Sequence, residues 1–246
     1  KQIFSYLIMQ SICGIIAYLI TSKYFKRSIP ESIIWALTVA LSNHVTLLLP
    51  ITEIYFQQNV ITQVASIILM DGIILLSVIA FFLELSTKKN VNLFNFIKNL
   101  FLNPFILSII IGLLFLLLNF NIDQTPIEYT LSKLAACVSP VGLFAIGITL
   151  SFYTKNVINK LSVSISVLKL VISPIILLLI GLAIFNAGLP AEIPGAFFVS
   201  VAPCGVTSIV LCAAYNVSPE NIIKAIFVST IASIGTIFFA IKYLTL

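Results

Sequence analysis

Eight apolar segments of near bilayer-spanning length follow one another through the chain, and no other feature restricts its fold as strongly. They run at about 3–22, 32–56, 60–83, 103–122, 127–150, 161–185, 193–215 and 221–244. A hydrocarbon core of ~30 Å is crossed by about 20 helical residues. Within it, backbone groups must be satisfied internally, which leaves helices or a closed barrel. The expected fold is therefore all-α and polytopic. Only 9% of the residues are charged, against roughly a quarter in soluble domains. An isolated charge at mid-bilayer costs about 3 kcal/mol or more, so the scarcity of charge is itself a membrane signal.

The net charge of +5 does not point to nucleic acid, because the basic residues are dispersed over short connections. They report topology instead. Lys23, Lys26, Arg27, Lys88, Lys89, Lys98, Lys155, Lys160 and Lys224 fall on one side, which becomes the cytoplasmic one. Residues 84–102 carry Leu93, Phe94, Ile97, Leu100 and Phe101 at helical spacing, which predicts an amphipathic helix at the interface. The four cysteines lie in apolar segments without a CxxC or a histidine partner, so neither a metal site nor a disulfide framework is indicated. No HExxH, GxSxG or paired catalytic carboxylates occur, and no cofactor or enzymatic activity is expected.

The layout repeats at an offset of about 160 residues: Pro30 falls on Pro190, Ile33 on Ile193, Val39 on Val199, Asn43 on Pro203 and Tyr55 on Tyr215. The topology count makes the two copies antiparallel. The spans at 103–122 and 127–150 would have partners about 60 residues long upstream of Lys1. The expectation is thus eight helices of ten in a five-plus-five inverted repeat. Residues 1–83 would close the first repeat, 84–102 would link, and 103–246 would form the second.

Both copies carry a helix breaker at mid-span. Ser42-Asn43-His44-Val45-Thr46 leads to Pro50, and Ala202-Pro203-Cys204-Gly205-Val206-Thr207 is its counterpart. Proline removes a donor and clashes with the preceding turn. Broken helices from opposed repeats mark the substrate site of secondary transporters, and half-helix N-termini there suit a carboxylate. Kinked packing helices are the plainer alternative. Asn43, His44, Thr46, Pro50, Pro203, Cys204, Gly205 and Thr207 are the candidate substrate residues. His44 is either a structural hydrogen-bonder or a proton carrier. Asp71, mid-span, is either a proton or sodium site or a protonated structural acid. Lys169 and Lys133 are close enough to segment ends to snorkel. Pro140 is expected to break a third segment, and Gly142 and Gly147 to allow close helix contact.

Ser42-Asn43 leading to Pro50-Ile51, Asn103-Pro104 reaching Gly112, and Pro140-Val141-Gly142-Leu143-Phe144-Ala145-Ile146-Gly147-Ile148-Thr149-Leu150 resemble signatures of the auxin efflux carrier family. The resemblance implies ten helices with crossing breaks, related in fold to bile acid sodium symporters, and transport of organic anions such as auxin or malonate. The family's crossing asparagine maps onto Asn43 and its second crossing proline onto Pro203. His44-Val45 departs from the Thr-Gly common there, and Leu48 from the glycine before the proline pair. The expected function is a carrier of a small organic anion in a cell membrane of bacterial type, coupled to protons, sodium or neither. The bilayer is its solvent, and a homodimer is allowed. A sodium symporter and a non-transporting truncated membrane protein are the alternatives.

Overall fold

The computed structural model describes residues 1–87, 98, 101, 104–153, 156–186 and 190–245. The regular structure among the described residues is all helical, apart from a single isolated bridge. Helix α1 spans Gln2–Tyr24, α2 Ile29–Ala40, α3 Leu49–Tyr55 and α4 Gln58–Thr87. After them come α5 (Pro104–Leu117), α6 (Pro126–Ser151), α7 (Lys160–Phe185), α8 (Pro194–Ser200), α9 (Thr207–Ala214) and α10 (Glu220–Thr245). Among the described residues five helices, α1, α4, α6, α7 and α10, are long and apolar enough to cross a membrane. The expected spans at 32–56 and 193–215 are each two short helices separated by a break. The amphipathic linker expected over 84–102 lies largely outside the described residues, and 84–87 simply continue α4.

Local chemistry sets the helix starts. Ser28 accepts the Glu31 N–H with Pro30 in the first turn of α2, and Thr125 does the same for Glu128 ahead of α6. Asn159 and Ser162 form a reciprocal capping box at the head of α7. Each device satisfies amide donors that a helix start leaves open.

Helix α1 packs along α2 and α7, α10 packs along α7, and α4 packs against α8. Gly195 N–H donates to Gln63 Oε1 at 3.0 Å across the last of these contacts. The shared core includes Trp35, Leu37, Leu48, Ile165 and Phe198, all fully buried. Phe144, Ile234, Phe238 and Phe239 lie on the outside and are more than 60% exposed. So much outward apolar surface is what lipid, not water, solvates.

Among the described residues four π-helical turns interrupt the helices: Ile20–Tyr24, His44–Leu48, Asp71–Leu75 and Leu168–Ile172. Three of them carry buried ionisable side chains, namely His44, Asp71 and Lys169. Prolines account for two. Pro50 and Pro174 lack the N–H that the turn before them needs and crowd the carbonyl four residues back. π turns re-aim side chains and are frequent at functional sites.

One expectation fails here. α6 runs through Pro140 unbroken, because neighbouring groups in a membrane bundle can re-satisfy one freed carbonyl. Gly142 does sit in a close contact, where an added Cβ would lie 2.8 Å from Thr46 Cγ2. A Cβ added at Gly147 would meet open space, with nothing within 4 Å among the described residues.

Candidate functional site

The two breaks meet in the core. Leu41 is extended and Asn43 is non-helical, and Ser42 forms an antiparallel bridge with Cys204. Asn43 N–H donates to Pro203 O at 2.9 Å, and Gly205 N–H donates to Thr38 O at 3.2 Å. Each interrupted helix therefore supplies partners for the backbone that the other leaves open. That is the condition under which irregular backbone survives at membrane depth. Cys204 N–H donates to Ser229 Oγ at 3.2 Å, and Thr236 Oγ1 donates to Val201 O at 2.8 Å, so α10 closes the rest of the second break. Gly205 permits the approach: an added Cβ would stand 2.8 Å from the Cβ, Cγ and O of Leu41.

Polar side chains gather on the first break. Thr46 Oγ1 donates to Asn43 Oδ1, which turns the amide so that Asn43 Nδ2 is left as a buried, unpartnered donor. His44 Nε2 lies 3.0 Å from Asp71 Oδ2, and Tyr6 OH donates to the same oxygen at 3.3 Å. Asp71 Oδ1 and His44 Nδ1 remain buried without partners. Pro50 leaves the Thr46 carbonyl without its helical donor, and Ser139 Oγ of α6 fills that place at 2.6 Å. Lys169 Nζ donates to Ser42 Oγ at 2.8 Å, and Ser42 Oγ donates to Val199 O at 2.9 Å.

The sequence-derived candidates divide accordingly. Asn43, His44, Thr46 and Asp71 form one connected cluster. Pro203 contributes its carbonyl and Gly205 its lack of a side chain. The Cys204 side chain is fully buried, and its backbone is engaged in the bridge. Pro50 sits half-buried behind Thr46, and Thr207 opens α9 half-buried. An unpartnered amide donor, the helix start at His44 and a carboxylate–imidazole pair give this cluster the means to hold an anionic group and to exchange a proton.

Tyr6 and Ser139 are not among the sequence-derived candidates, and Lys169 is read there as a snorkelling residue. Tyr6 and Ser139 carry no sequence signal. Lys169 does not snorkel: its side chain is 0% exposed. Its depth was legible, since it lies about two and a half helical turns from the start of α7 at Lys160. A lysine so far inside an apolar span is a functional candidate by default.

Compared with known protein families, the chain matches a model described as a membrane transport protein over residues 2–241. No curated protein matches it.

Proposed function

The chain belongs to the membrane transport protein family, that of the auxin efflux carriers, and from that premise we propose that it is a secondary carrier for a small organic anion. The observation that carries this reading is the crossing of the two breaks, which leaves Asn43 Nδ2 buried without a partner beside the helix start at His44. A buried donor left open costs about 1–3 kcal/mol, and a substrate carboxylate would satisfy it. Asn43, turned by its bond from Thr46, orients the anion, and the helix starts at His44 and Thr207 supply positive ends. The His44–Asp71–Tyr6 chain accepts or releases the coupling proton.

Residues related by the 160-residue offset support an inverted repeat of 1–83 and 103–246 joined by 84–102. Asn43 bonds to Pro203, and Ser173 Oγ donates to Cys13 Sγ, a pair 160 residues apart, at 3.3 Å. Residues lying on a two-fold axis must touch in this way. Alternating access then follows as one helix group rocks against the other around the crossing.

Uptake of labelled malonate and indole-3-carboxylic acids into proteoliposomes tests the reading, with and without imposed proton and sodium gradients. Saturable uptake that Asn43→Ala removes, while the variant still melts cooperatively, supports it. Absence of uptake for every small carboxylate tried sinks it. A strict sodium requirement would shift the reading to a sodium-coupled symporter of the bile acid type.

A further inference from the structure

Lys169 has no task in the transport reading, yet it is fully buried where the two breaks cross. Its ammonium donates to Ser42 Oγ, which in turn donates a hydrogen bond to Val199 O in the last turn of α8. Ser42 also stands two residues beyond the carboxyl end of α2. The cation is thus placed where two half-helices present their terminal carbonyls. Partial negative charge collects at such ends, and in broken-helix carriers they are where sodium ions or protons are held.

Among the described residues no carboxylate approaches Lys169 within 4.0 Å, so no direct ion pair accounts for its burial. Helices α1, α2 and α10 pack against the π turn that carries it, and Cys13, Cys204 and Asp71 are the titratable groups that interact with it. Asp71 bonds to His44 and Tyr6 rather than to the lysine. The π turn Leu168–Ile172, forced by Pro174, is what directs Lys169 inward.

We propose that the Lys169 ammonium is a tethered cation occupying the coupling-cation position at the crossing, where it balances the half-helix carbonyl ends and Asp71 so that no free sodium ion binds there. The consequence for coupling rests on the carrier reading, whereas the charge assignment does not, and its test reads stability instead of transport.

The test is thermal melting of the whole chain in detergent, for wild type, Lys169→Met and Lys169→Ala. Wild type should melt at one temperature in sodium chloride and in N-methylglucamine chloride of equal ionic strength. Lys169→Met keeps the volume and removes the charge, and should lower Tm by about 6 °C or more, equivalent to roughly 2 kcal/mol in a chain of this size. Lys169→Ala should fall further and recover at least half of the loss with ethylammonium or sodium, but not with ethanol. A Lys169→Met protein melting at or above the wild-type temperature would overturn the proposal, as would a sodium-specific rise in the wild-type Tm. Should neither variant fold, the wild-type salt comparison decides alone: cation-independent melting upholds the tethered charge and sodium-specific stabilisation removes it. Failed uptake with these melting results would sink the carrier reading and leave the tethered cation standing.

Discussion

The first and second breaks occupy the same place in the molecule and are built from different materials. Leu41–Asn43 and the π turn after it carry Asn43, His44 and Thr46, and draw in Asp71, Tyr6 and Lys169. Residues 201–206 offer a carbonyl from Pro203, an amide from Cys204 and a missing side chain at Gly205. The difference extends outward. α10, which follows the second break, packs along α7. α4, which follows the first, meets α1 through Tyr6 and Asp71, and away from that contact the two helices and α2 line an apolar cavity of about 700 Å³ that includes Ile15, Tyr18, Ile33, Val78 and Phe82. One side of the crossing gathers the polar side chains, and the other is a tied backbone. A crossing needs two interrupted helices to satisfy each other's backbone, but only one of them has to carry polar side chains.

Substitutions can break this contrast, and the largest effect is expected at the structural break. Gly205→Val should destabilise the protein by about 3 kcal/mol, because its Cβ meets Leu41 backbone and side chain at 2.8 Å. Thermal melting checks this, and an unchanged Tm would mean that the two breaks do not approach so closely. Asn43→Ala should reduce anion uptake at least tenfold, about 1.4 kcal/mol of lost binding or more, while lowering stability by only about 1 kcal/mol for the lost Thr46 bond. Uptake and melting measured on the same preparation separate the two. Asp71→Asn removes the acid that faces His44 and Tyr6, so uptake should lose its dependence on an imposed pH gradient while the folded protein persists. If the dependence survives, the carboxylate is structural. Cys204→Ala should be nearly silent in uptake and cost about 1 kcal/mol or less in stability, since it removes one small buried atom and leaves the backbone bonds of this residue in place. A large loss of uptake would move the second break into the chemical half of the comparison.

Much of this was written in the residues. Pro50, Pro203 and Gly205 announce interruptions because a missing donor and a missing Cβ act locally, whatever the fold. Asn43 and Asp71 stand out because amides and carboxylates are rare in apolar spans and expensive there. Pro140 misled because the same missing donor has two outcomes, and only neighbouring groups decide between a break and a continuous helix. Lys169 misled because snorkelling and burial differ by where the side chain points, which the π turn at Leu168–Ile172 sets.

The amino-acid order by itself determined the solvent, the helical class and the places where helices had to stop, because hydropathy, proline and glycine act over one turn or one bilayer thickness. Tertiary structure decided which loose ends met. Asn43 found Pro203, Asp71 found His44 and Tyr6, and Lys169 found Ser42. These pairings join residues far apart along the chain, and in a medium without water a buried polar group is stable only beside whichever partner the packing brings to it.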